Sequence, residues 1–214
     1  MPHRTLLKPL VLLLIVLWPV AGVTKSPEAV IEETFRESLN TLLENHEAIA
    51  EDPSIGESLI DEVLSPRVHF ELMSRLILGR HWRDADDEQR ERFIAAFQEN
   101  VIRTYSRMLA DNIDEALDMV EGRRADDILR IDRVSDPDQH GRVTVRTTLR
   151  FDGTSVPVQY RMIETESRGW LAYDVVIENI SFVTNYRQEY GSAIRRDGVE
   201  GLITRLEERN ERRR

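Results

Sequence analysis

Apolar residues recur at three- and four-residue spacing through Val30, Ile31, Phe35, Leu39, Leu42, Leu43 and Ile49, which predicts an amphipathic helix over about Pro27 to Ala50. Asp52-Pro53-Ser54 breaks it. Two shorter helices follow, over Ile55 to Val63 and Val68 to Leu78, separated at Pro66, and Gly79 suits the end of the second. Asp86 with Gln89 three residues later has the form of a capping box, each side chain satisfying a backbone amide that the first helical turn leaves unpaired. The helix it opens carries Phe93, Phe97, Val101, Tyr105, Met108, Leu109, Ile113, Leu117 and Val120 on one stripe. It is expected to run for about eight turns and end at Gly122.

The period then switches to two. Val143, Val145, Thr147, Leu149 and Phe151 alternate with Thr144, Arg146, Thr148 and Arg150, and Asp152-Gly153 is a hairpin turn. Val156, Val158, Tyr160 and Met162 continue the alternation, Ser167-Arg168-Gly169 turns the chain, and Leu171, Tyr173, Val175 and Ile177 form a further strand. With a weaker strand near Ala125 to Val134, the middle of the chain reads as an antiparallel meander. Helical spacing returns from Asn185 through Tyr186, Tyr190 and Ile194, then Leu202, Ile203 and Leu206, with Gly198 between two helices. The expected fold class is α+β: a curved antiparallel sheet of about four strands, its apolar face packed with a long helix and flanked by a helical subdomain. One domain would hold a helical part at about 27–85 and a sheet part at about 123–180.

Ahead of the first helix, Arg4 and Lys8 precede an apolar run from Leu10 to Val20 that is too short to span a bilayer comfortably. Val20 and Gly22 occupy the small-residue positions of a cleavage site, so residues 1–22 read as a secretory signal peptide cut after Gly22. Nothing after Gly22 looks transmembrane. The chain has no Cys, which excludes disulfides, thiolate metal sites, cysteine nucleophiles and a lipid anchor on cysteine. Losing Arg4 and Lys8 with the leader takes the formal charge from −10 to −12. Such a surface repels nucleic acid and anionic headgroups on average, and no nucleic-acid partner is expected. Lys25 is the one lysine after the leader, and the nearest approach to a basic patch in the sequence is the Arg212-Arg213-Arg214 tail, read as a solvated end.

Candidate chemistry is sparse. His46, His69, His81 and His140 sit in different segments without paired spacing, so no metal site is expected unless the fold converges them. No G-x-S-x-G, H-E-x-x-H, P-loop or dinucleotide fingerprint occurs. Asp174 stands among apolar neighbours in a strand and needs a partner, for which Arg187 is a candidate. It is either a general base in a sheet-lined cavity or, the reading preferred, a structural ion pair or hydrogen-bonded turn anchor.

Ile77-Leu78-Gly79-Arg80-His81-Trp82, then Gln89-Arg90 and Phe93-Ile94-Ala95-Ala96-Phe97, resemble the L-G-x-x-W…Q-R…F…F pattern of the MlaC family of periplasmic phospholipid-binding proteins. Gly169-Trp170-Leu171-Ala172-Tyr173-Asp174-Val175, Ile180-Ser181-Phe182-Val183-Thr184-Asn185-Tyr186-Arg187 and Gly198-Val199-Glu200-Gly201-Leu202 resemble its later motifs in the same order, and the likeness runs from about Pro27 to Asn210. Where the family usually has Gly before the Ile-Ser pair, this chain has Asn179, which takes a left-handed conformation less readily.

The resemblance implies an NTF2-like sheet with a helical subdomain around an apolar pocket for acyl chains. It implies a periplasmic location and shuttling of phospholipid between an inner-membrane MCE-domain protein of an ABC transporter and an outer-membrane lipoprotein-porin complex. Phospholipid is then the ligand, no cofactor or catalysis is expected, and outer-membrane lipid asymmetry is the purpose. Alternation and helical phase nominate Phe97, Val101, Tyr105, Leu149, Phe151, Val158, Tyr160, Tyr173, Val175 and Ile177 as pocket lining. Two rivals stay open: an adaptor or chaperone that holds a partner helix in the same groove, and a small hydrolase or isomerase built on Asp174.

Overall fold

A computed structural model describes residues 25–151 and 153–212; the predicted leader and the Asp152 half of the hairpin turn lie outside them. Helix α1 (Pro27–Glu51) begins at Ser26, whose hydroxyl accepts from the Ala29 amide. Asp52 then ends α1 and caps α2 (Pro53–Leu64) through the Ser54 amide at 2.9 Å. A single 3-10 turn, Ser65–Arg67, leads to α3 (Phe70–Leu78), which Gly79 closes with φ +57°. The short α4 (His81–Asp84) was not legible in the pattern.

Both bonds of the capping box at α5 (Asp87–Asp111) are present, Gln89 N–H to Asp86 Oδ1 at 2.8 Å and Asp86 N–H to Gln89 Oε1 at 3.3 Å. The helix is shorter than its stripe suggests. Asn112 adopts φ −127° and donates its side-chain amide to the Met108 carbonyl, and α6 (Ile113–Val120) starts in a new direction. An Asn side chain offers local backbone groups an alternative to the helical ladder, and periodicity does not register that competition. The expected strand start at Ala125 is also corrected: Ala125–Ile128 is a helical turn, α7, and the strand begins at Leu129.

Five strands, β1 (Leu129–Val134), β2 (Arg142–Phe151), β3 (Thr154–Thr165), β4 (Gly169–Ile177) and β5 (Ile180–Ser181), form an antiparallel meander in sequence order. Glu178 and Asn179 turn β4 into β5 with φ +49° and +68°, so Asn179 does take the left-handed conformation. Helix α8 (Phe182–Glu211) is kinked at Gly198, whose φ +72°, ψ 179° is essentially a glycine conformation, as the two-helix reading anticipates. No helix among the described residues is long and apolar enough to cross a membrane.

One irregularity redirects the sheet. Arg161 pairs with Asp174 and Met162 with Ala172, which leaves Tyr173 as an extra residue in β4. Such a bulge reverses the alternation beyond it. Ala172, Val175 and Ile177 therefore share the face of Met162, Tyr160 and Val158, whereas an uninterrupted strand would have put Tyr173 there.

Among the described residues, apolar side chains gather in two large cores and a smaller third around Leu39, Val120 and Ile128. Val30 and Ile31 of α1 pack on Val143, Val145 and Met162 of the sheet, so the long helix on the sheet's apolar face is α1. Helix α5 instead joins α3 and α8, where Phe93 and Phe97 stack at 5.9 Å with Tyr186 and Tyr190 edge-on to Phe97. Arg92 of α5 bridges to Glu200 and Glu207, each at 2.8 Å, and holds the second half of α8 against this core.

Candidate functional site

Between α1 and α2 lies an apolar cavity of about 260 Å³. Phe35, Ser38, Leu39, Thr41, Leu42 and Ile49 of α1 form one wall and Gly56, Leu59, Ile60, Val63 and Leu64 of α2 the other; Leu109, Val120 and Phe151 close the ends. Helix α1 serves two neighbours because its stripe is wide: Val30 and Ile31 reach the sheet, and Leu39 and Leu42 turn toward α2. Gly56 lies against α1, where a Cβ would stand 3.4 Å from Ile49 Cγ2, in ordinary contact. Leu64, 39% exposed, marks where the cavity meets solvent.

Ser38 and Thr41 are the polar members of this lining, and no ionisable side chain belongs to it. Such a wall offers no ionisable acid or base beside the two hydroxyls. It suits a hydrocarbon, whose burial requires no directional partner.

Of the ten residues nominated from the sequence, Phe151 lines this cavity. Phe97 and Val101 belong to the α3–α5–α8 core, Phe97 wholly buried there. Leu149 and Tyr160 pack in the core beneath α1, and burial pushes the Tyr160 hydroxyl up to about 12. Val158, Val175 and Ile177 continue that sheet face through paired positions, Val158 opposite Ile177 and Tyr160 opposite Val175. The face runs out to solvent at Ile177 and its partner Ile180. Tyr105 is partly exposed, its ring 6.0 Å from Phe182. Tyr173 lies elsewhere: its ring covers the Arg142 guanidinium at 5.4 Å, and Arg142, next to the inward Val143, points to the opposite face. The bulge is the reason for this correction.

The cavity's other lining residues, from α1 and α2 with Leu109 and Val120, were not nominated from the sequence. Their helical stripes were visible, but a stripe does not disclose whether its residues meet side chains or a void.

Asp174 is buried, and all its bonds are structural. Oδ2 accepts from Arg161 at 2.9 Å and Ser181 Oγ at 2.7 Å, and Oδ1 accepts from the Val183 amide at 3.0 Å. Its partner is Arg161; Arg187 instead donates to the Leu76 carbonyl at the end of α3. The histidines remain apart: His46 Nδ1 meets the Leu43 carbonyl, His69 Nδ1 accepts from the Leu72 amide, His81 lies by Arg80 and His140 by Gln139. Among the described residues no group of three or more His, Asp or Glu could hold a metal.

Comparison with known proteins agrees with this architecture. The solved structure of a phospholipid-binding protein from Ralstonia solanacearum, in complex with a phospholipid, superposes with a TM-score of 0.68 at 24% identity, covering 88% of this chain and 99% of that one. The Intermembrane phospholipid transport system binding protein MlaC of Haemophilus influenzae is 20% identical over 186 residues, 86% of this chain and 81% of that protein. The family described as MlaC protein matches residues 32–208, a span that takes in the cavity helices, the whole meander and most of α8, and the chain belongs to that family.

Proposed function

We propose that this protein is a periplasmic phospholipid carrier that takes acyl chains between α1 and α2 and moves lipid between the outer and inner membranes without catalysis. The observation that carries the reading is the cavity itself, lined by apolar side chains apart from Ser38 and Thr41, in a member of a family with relatives named for phospholipid transport. Residues 1–22 serve as its leader, and the remainder works as one lipid-binding domain. The partners between which it shuttles are an outer-membrane lipoprotein-porin complex and an MCE-domain protein of an inner-membrane transporter, and it needs no cofactor.

The energetics suit such a role. At about 0.8 kcal/mol per methylene, two chains of about 30 methylenes in all cost roughly 24 kcal/mol to expose to water. Transfer from one apolar phase to another nearly cancels that term, so small differences suffice for loading and release. A cavity of 260 Å³ is smaller than most occupied ligand pockets, at about 300–1,000 Å³, and entry of acyl chains widens the gap between α1 and α2. The headgroup stays at the mouth near Leu64, in water, where it requires no arginine clamp.

Native mass spectrometry of the protein purified without its leader tests this directly. A bound mass matching phospholipid, exchangeable with liposomes, is the expected result. Repeated isolation without lipid, together with no uptake from liposomes, overturns the carrier reading, and co-purified peptide in place of lipid points to a chaperone.

A further inference from the structure

Two adjoining grooves flank the turn at Gly79, and arginines line both. Arg80, His81, Arg187 and Arg195 bound one above a floor of Ile77, Leu78 and Ile194. Arg75, Arg80, Arg83 and Arg187 bound the other beside Leu76 and Trp82. No carboxylate lines either groove, and among the described residues none of these five arginines forms an ion pair. Several of their donors are spoken for, since Arg187 holds the Leu76 carbonyl and Arg195 the Ser192 hydroxyl at 2.9 Å, yet each guanidinium has five N–H groups. All five side chains belong to exposed residues. In a chain of formal charge −10, this is a local reversal of sign that no sequence run discloses.

Five like charges around one turn repel one another in the free protein, and an anion with several charges relieves that repulsion. Planar guanidinium groups match carboxylates in two-point contacts. We propose that this surface docks an acidic segment of a partner protein, a stretch of chain presenting several carboxylates to the two grooves together. The inference rests on the carrier reading, because a carrier must be held where it exchanges its cargo.

The confinement of the positive charge to two grooves favours a protein segment over a bilayer. Arg90 in the first turn of α5 reaches the Trp82 carbonyl beside the grooves, and Gln98, whose amide lies 3.4 Å from the Ser65 hydroxyl next to Leu64 at the cavity mouth, is eight residues further along, about 12 Å at the helical rise. The α3–α5–α8 core with Phe93 and Phe97 stands between the two sites. A membrane of anionic lipid meeting the arginines would also meet the acidic remainder of the surface, which repels it. A tethered acidic segment occupies the grooves alone and leaves the cavity mouth free to face a lipid acceptor.

The test uses a fluorescein-labelled synthetic glutamate-rich peptide and the protein without its leader, read by fluorescence anisotropy at low and high salt. Saturable binding that weakens with salt is expected, and about tenfold or greater loss in the triple variant Arg80→Glu, Arg83→Glu, Arg195→Glu. The control Arg146→Glu, Arg150→Glu, on the outer sheet face, should bind as the parent does. Circular dichroism checks that each variant is folded, and native mass spectrometry should find the triple variant's lipid content unchanged. Absence of peptide binding by the parent, or equal binding by triple variant and control, overturns the proposal. So does arginine-dependent sedimentation with phosphatidylglycerol vesicles in place of peptide binding. A parent protein that binds peptide through these arginines but never lipid overturns the carrier reading alone.

Discussion

Arg161 Nη1 meets Asp174 Oδ2 at 2.9 Å across the β3–β4 pair, and the carboxylate that receives it is 1% exposed. The same carboxylate takes the Ser181 hydroxyl and the Val183 amide, so a single side chain fastens the bulged strand to the start of α8. Its negative charge also lies where the helix dipole favours it. Asp174→Ala leaves a buried amide without an acceptor, and Arg161, which is half exposed, recovers part of its loss from water. A destabilisation of about 3 kcal/mol is expected in urea unfolding. Asp174→Asn, which keeps an acceptor but not the charge, should fall between.

The cavity predicts a selective defect. Ser38→Trp and Ile60→Trp place an indole in the space between α1 and α2. Filling a void costs less than overpacking a dense core, so thermal midpoints should stay within a few degrees of the parent. Phospholipid per mole of protein, measured after extraction, should drop to a small fraction. Full loading in both variants would place the acyl chains elsewhere, most directly along the sheet face of Val158, Tyr160 and Ile177.

Gly198 and Gly191 should respond oppositely to alanine. Gly198 has φ +72°, ψ 179°, a region that a Cβ makes strained, and Gly198→Ala should cost about 1–3 kcal/mol. Gly191 is helical, and a Cβ there meets only the mobile end of Arg195 at 3.5 Å. Gly191→Ala should therefore add up to about 1 kcal/mol through helix propensity. Paired thermal melts decide both.

His69 predicts a pH dependence above the carboxylate range. Its Nδ1 accepts from the Leu72 amide at the start of α3, and burial, reinforced by Arg168 and opposed by Glu71, lowers its pKa below the ordinary 6.5. The folded state thus disfavours the protonated ring. This contribution is complete above about pH 6.5 and is lost as pH falls through the lowered folded value. Stability should decline on acidification from pH 7 to 5, and His69→Asn, which can cap the helix without titrating, should flatten that part of the profile. An unchanged slope in His69→Asn would assign the effect to other groups.

Much of the fold is legible in the sequence because its determinants are local. The capping box at Asp86 and Gln89, the glycine at position 79 and the alternation from Val143 to Phe151 each act over a few residues, and each appears where the pattern puts it. The candidate site is less legible. Of the nominated lining, Phe151 reaches the cavity, because phase along one element says which residues turn inward but not which neighbouring element they meet. The Tyr173 bulge shows the limit within a strand: one inserted residue leaves composition unchanged and reverses the face.

The sequence by itself determined the α+β order of elements, the family motifs, the excess of acidic groups and the need of Asp174 for a partner. Tertiary structure alone decided that the partner is Arg161, that α1 rather than α5 lies on the sheet, and that the void opens between α1 and α2. It also decided that Arg75, Arg80 and Arg83 stand beside Arg187 and Arg195, residues more than 100 positions apart in the chain. The physical reason is common to all four. Helix and strand periods are set by the backbone within a few residues, whereas cavities, ion pairs and charged patches arise from contacts between distant segments, whose partners follow from packing of the whole chain.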